Sequence, residues 1–113
     1  MQVNESATIL FHGFQNMIEF IYKIRPVRTE MLVKSTQKED EIIALHLQYL
    51  KNLYEQGVVT FVDRTLNPDE KSFGMVVFTS ENERIAKSIM LEDPAIKMNV
   101  MLGNVYPFKT VFR

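Results

Sequence analysis

Apolar residues recur with a helical period between positions 42 and 54 and alternate with a period of two in stretches before and after it. At roughly 100° per residue, Ile43, Leu47, Leu50 and Tyr54 fall on one stripe, which Ile42 and Leu53 widen. His46 projects between Leu50 and Leu53, inside that buried face or at its margin, while Gln48, Lys51 and Glu55 lie away from it. Gly57 marks the stop, because a residue without Cβ takes a positive φ at little cost. A helix selected for stability alone would carry another leucine at position 46.

The flanking segments read as strands. In Ile18-Glu-Phe-Ile-Tyr-Lys-Ile24, Ile18, Phe20, Tyr22 and Ile24 share one face, and β-branched and aromatic residues dominate. Arg25-Pro26 closes the strand, because proline removes a donor and restrains the residue before it. A connector over 26–38 carries Arg28 and Met31-Leu32-Val33, and Ser35 or Thr36 caps the helix with Glu39 and Asp40 in its first turn. Val58–Val62 predicts a second strand, Thr65–Lys71 a polar turn, and Phe73–Phe78 a third strand that is apolar on both faces. Ser80-Glu-Asn-Glu83 has the capping-box spacing and opens a second helix through Ile85, Ala86, Ile89 and Met90, which stops near Glu92-Asp93-Pro94. After a loop or short turn over 95–99, a last strand spans about Met101–Phe112, with Pro107 at an edge or bulge.

The order β-α-β-β-α-β predicts an α+β, ferredoxin-like fold: a four-stranded antiparallel sheet with two helices on one face. The two-sided apolarity of the third strand then requires cover for the second face, and a second copy packed sheet to sheet supplies it. A homodimer is the predicted assembly. Residues 17–113 form the domain. Residues 1–16 fit neither period and read as an extension that packs loosely as a short helix or strand, with His12 inside it.

Charge and composition narrow the function classes. With 13 Lys and Arg against 14 Asp and Glu, the net charge is −1 and the basic residues are scattered, which argues against nucleic acid as a partner. The absence of cysteine excludes disulfides and thiol catalysis, and two histidines far apart make no recognisable metal motif. No apolar run reaches the roughly 20 residues of a spanning helix. Asn4 and Glu5 precede the apolar part of the N-terminus, so the reading is a cytoplasmic protein with no membrane attachment.

The same topology gathers polar residues at one end of the molecule. The end of the first strand (Arg25), the first half of the first helix (His46), the end of the second strand (Asp63, Arg64), the start of the third (Ser72) and the end of the second helix (Asp93) converge at the mouth of a cleft between helices and sheet. A polar cluster on an apolar cleft is the composition of a small-ligand site. Tyr22 faces the helices and reads as a further lining residue, and Arg25, Arg28 and Arg64 are candidate clamps for an anionic or phenolic group.

These residues also carry a resemblance. His46-Leu-x-x-Leu-x-x-Leu-x-x-x-Gly57 followed by a strand, Asp93-Pro94 after the second helix, and Pro107-Phe108 in the last strand resemble the YciI-like, or YCII-related, family over about residues 18–112. The resemblance implies a dimeric α+β barrel and a catalytic His–Asp pair, carried onto His46 and Asp93. It implies no cofactor and no particular reaction, although the few assigned members point to elimination or dehydrochlorination on hydroxylated rings. One departure is Asp63, where relatives usually place glycine.

Two readings follow. In one, His46 performs acid/base chemistry on a small substrate, oriented by Asp93. In the other, the chain is a binding or accessory dimer, His46 is a satisfied core histidine, and Asp93-Pro94 is turn chemistry. The discriminating feature is whether His46 touches open space.

Overall fold

The computed structural model describes residues 17–113, so the expectations for 1–16 and for His12 lie outside the described residues. Four strands, β1 (Ile18–Pro26), β2 (Val59–Arg64), β3 (Gly74–Ser80) and β4 (Met101–Pro107), form one antiparallel sheet in the order β2-β3-β1-β4. Helices α1 (Gln37–Glu55), α2 (Glu83–Leu91) and the short α3 (Pro94–Lys97) complete a ferredoxin-like fold. A 3-10 turn over Thr29–Leu32 breaks up the connector before α1.

Register divides each strand between two faces. Phe20 pairs with Phe78 and Tyr22 with Val76 in adjacent β1 and β3, so these four side chains share the face that the helices cover. They are buried with Ile24, Val59, Leu50, Ala86 and Met90. Phe78 stacks on Phe20 with ring centroids 5.9 Å apart and meets Tyr22 edge to face at 5.7 Å. Each fully buried aromatic of this kind contributes about 1.5–3 kcal/mol of transfer free energy. The opposite face carries Ile21, Val77 and Phe61 in one cross-strand row, with Tyr106 beside Ile21.

Several boundaries differ from those read in the sequence. The buried face of α1 runs through Ile42, His46 and Leu50, whereas Leu47 and Tyr54 are 57% and 59% exposed. The stripe is therefore rotated by about one residue, and His46 stands at its centre. The capping box belongs to α1: the Thr36 side chain accepts the Glu39 N–H at 3.1 Å, and Glu39 Oε1 accepts the Thr36 N–H at 2.8 Å. Ser80 is instead the last residue of β3, paired with Ile18, and Asn82 caps α2 by accepting the Ile85 N–H at 2.9 Å. β1 continues through Pro26 because only β4 borders it there, and β4 ends at Pro107, leaving Phe112 outside the sheet.

Gly57 has φ 81°, the left-handed stop expected of it. Gly103 serves close approach, since a Cβ there would stand 2.9 Å from Ile96 Cδ1 and 3.0 Å from Met90 Sδ. No described helix is long and apolar enough to cross a membrane.

Candidate active site

The site is built on the N-terminal half of α1. Its start is fixed by the Thr36–Glu39 capping box and by Arg28, whose Nε donates to Glu39 Oε2 at 2.9 Å and whose Nη2 donates to Oε1 at 2.7 Å. Arg28 Nη2 also donates to the Lys34 carbonyl at 2.9 Å, closing the connector onto the helix. The Arg28 guanidinium, helped by the Thr36 N–H, holds the Glu39 carboxyl at about 2, well below the usual carboxylate range. Seven residues on, two turns along the same face, stands His46.

Asp93 approaches from the other side of the sequence. Pro94 at the first position of α3 pre-sets the helical φ and lacks the donor a first turn cannot use. Asp93 is the N-cap, and its Oδ1 accepts the Ala95 N–H at 2.9 Å. Its carboxylate, 0% exposed, also meets His46 Nδ1, 2.8 Å from both oxygens, and Oδ2 accepts the Tyr22 hydroxyl at 2.6 Å. An ionised carboxylate only accepts. Three donors converging on it therefore place a proton on Nδ1, so that the tautomer favoured for the neutral ring has its lone pair on Nε2. Among the described residues no group bonds Nε2.

Both tyrosines near the pair remain protonated donors. Burial, and after it the adjacent Asp93 carboxylate, raises the Tyr22 hydroxyl far above its ordinary pKa. Burial and the charges of Asp93 and Glu92 push Tyr49 up to about 12.

His46, only 5% exposed, forms part of the wall of a cleft of about 540 Å³, a size suited to a small molecule. Ile24, Ile43, Val62 and Met101 make its apolar walls. Glu39, Asp40, Arg64 and Ser72 bring polar groups to it, whereas Asp63, although it borders the cleft, is paired with Met75 and so carries its carboxylate on the opposite face of the sheet. Of the residues singled out in the sequence, His46, Arg64 and Ser72 thus meet at the cleft, Asp63 borders it with its side chain turned to the other face of the sheet, and Asp93 stands behind the imidazole.

The others are placed differently. Tyr22 does not line the cleft, because its fully buried hydroxyl is committed to Asp93. Arg25 follows Ile24 on β1 and so points to the opposite face of the sheet, opposite Leu102. Arg28 is engaged with Glu39 and Lys34 at the cap of α1 and does not line the cleft. Glu39 and Asp40, read in the sequence only as first-turn charges, are wall residues. The signal for Glu39 was its heptad spacing from His46. Among the described residues no cluster of three or more His, Cys, Asp or Glu is arranged to hold a metal.

Comparison with known proteins agrees with this architecture. The profile of the YCII-related domain matches residues 21–109. Among solved structures, the chain is similar to 5-chloro-2-hydroxyhydroquinone dehydrochlorinase from Burkholderia phenoliruptrix AC1100, determined in complex with 2,5-dihydroxybenzoquinone. The similarity has a TM-score of 0.58 at 22% identity and covers 80% of this chain and 93% of the other. Comparison with curated proteins gives no match.

Proposed function

This chain belongs to the YCII-related domain family, and from that premise we propose that it is an enzyme in which His46 acts as acid/base on a small, hydroxylated ring compound. The observation that carries the reading is the bond of His46 Nδ1 to Asp93 at 2.8 Å from an imidazole that lines a cleft. The buried carboxylate holds one tautomer, so Nε2 is the nitrogen offered to substrate. In an elimination, Nε2 takes a proton from the substrate, the electron pair released forms the new double bond, and the leaving group departs with its own bonding pair. The imidazolium so formed is stabilised by Asp93. The dehydrochlorinase neighbour supports this reaction class, and the mixed apolar and polar walls of the cleft suit a ring with hydroxyls at its edge.

A second reading, a binding protein without turnover, is favoured by the low exposure of His46. Chloride release from a panel of chlorinated hydroquinones separates the two. The enzyme reading expects release by the wild type and none by His46→Gln, with ligand affinity changed little. Tight binding with no turnover by the wild type establishes the second reading instead.

A further inference from the structure

Tyr22 stands apart from the chemistry proposed above and yet bonds directly to it. It comes from the central strand β1, is 0% exposed, and donates to Asp93 Oδ2 at 2.6 Å across 71 residues of sequence. Its ring contacts are those of a core aromatic, packed edge to face on Phe78, and Phe20 nearby shows that this layer accepts phenylalanine. A phenylalanine at 22 fills the same volume without bringing a polar atom into the core. The hydroxyl is therefore accounted for by its partner and not by packing.

We infer that Tyr22 is a positioning residue for the His46 base: its hydroxyl fixes the Asp93 carboxylate and limits how tightly that carboxylate holds the imidazole proton. This rests on the reading of His46 given above. Oδ2 is shared, 2.6 Å from the Tyr22 oxygen and 2.8 Å from His46 Nδ1. Each donor to a carboxylate draws charge from it and weakens its attraction for a neighbouring cation. Tyr22 thus opposes the tendency of Asp93 to keep His46 protonated, and keeps Nε2 available as a base. It also prevents the carboxylate from rotating away from Nδ1, a task the Ala95 N–H on Oδ1 shares.

Other charged or titratable groups face the same region. α1 contributes Glu39, Asp40 and Tyr49, β2 contributes Arg64, and Glu92 precedes Asp93 at the α3 cap. None of these is bonded to the His46 ring among the described residues. Removing the Tyr22 hydroxyl leaves all of them in place, so the change isolates one hydrogen bond.

The test is the ring titration of His46, followed in the full chain by nitrogen-15 and proton NMR, which reports both the pKa and the tautomer without any substrate. In Tyr22→Phe the His46 midpoint should rise by about one pH unit, the size of one hydrogen bond to a charged group. Site-specific 3-fluorotyrosine at position 22, a stronger donor of nearly the same shape, should move it the other way. If Tyr22→Phe does not fold, the fluorotyrosine chain alone decides. A His46 midpoint and tautomer that match the wild type in every folded variant overturn the inference. Where turnover is found, the acid limb of the kcat/KM profile should move with the midpoint. A chain that titrates as expected but turns over nothing sinks the catalytic reading of His46 and leaves its coupling to Tyr22 standing.

Discussion

Tyr49 donates its hydroxyl to the carbonyl of Ile89 at 2.6 Å, tying the middle of α1 to the last turn of α2. The final carbonyls of a helix lack intrahelical partners, and this one is met by a side chain three residues beyond His46. The bond therefore anchors the segment that leads directly into Asp93. Tyr49→Phe should destabilise the fold by about 1 kcal/mol. For a domain of this size that is a fall in Tm of roughly 4–8 °C, measurable by calorimetry. An unchanged Tm would show that water meets the Ile89 carbonyl equally well.

Asp93 both caps α3 and holds His46, and one substitution separates the two tasks. Asparagine is as good an N-cap as aspartate, so Asp93→Asn keeps an acceptor for the Ala95 N–H. Its amide presents a donor to Nδ1, which favours the opposite imidazole tautomer and removes the lone pair from Nε2. The folded chain should persist while turnover falls by about 10⁴-fold, the scale of a lost tautomer in a comparable dyad. Activity within tenfold of the wild type would remove Asp93 from the mechanism.

The Arg28–Glu39 pair predicts a pH dependence with a definite sign. The folded Glu39 carboxyl lies at about 2, below its ordinary value of 4.5. A depressed folded pKa contributes stability that is complete above the unfolded value and is lost as pH falls through the folded one. The Tm difference between wild type and Glu39→Gln should stay constant from pH 7 to about 5 and shrink between 4.5 and 2. A difference that survives unchanged at pH 2 contradicts the assignment.

How much of this could be read from residues alone depends on the range of the interaction. The element order and the convergence of His46 with Asp93 follow from local patterns plus one topology, and both were legible. The rotation of the α1 stripe was not, because Ile42 and Leu47 are equally apolar and only packing against the sheet chooses between them. Ser80 and Asn82 are both competent caps, and strand pairing of Ser80 with Ile18 decided for Asn82. The role of Tyr22 was hidden for a different reason. Alternation put its ring under the helices, but the partner of its hydroxyl depends on where a loop 71 residues away comes to rest.

The second face of the sheet leads to the prediction about assembly. Register places Val77, Ile21, Phe61 and Tyr106 there, while Val76 faces the helices. Phe61 and Tyr106 remain 49% and 50% exposed, a large apolar surface for a 13.2 kDa chain. Analytical ultracentrifugation should find twice that mass at micromolar concentration. Phe61→Lys, at a half-exposed edge of the row, should give a folded monomer. A wild-type chain that sediments as a monomer refutes the sheet-to-sheet dimer.

Asp93 lies 47 residues from His46 and 71 from Tyr22 along the chain, and it bonds to both. Closing such long loops is the slow part of folding, because their entropy is lost before the contacts form. The helices and the β2–β3 hairpin can form from shorter-range contacts, whereas the imidazole acquires its carboxylate only when the C-terminal third of the chain has come home. During synthesis the polypeptide carries an ordinary histidine until Asp93 has emerged and docked. The His46 tautomer thus reports the docking of the segment that carries Asp93, and in a refolding experiment it should lock after helical circular dichroism has recovered.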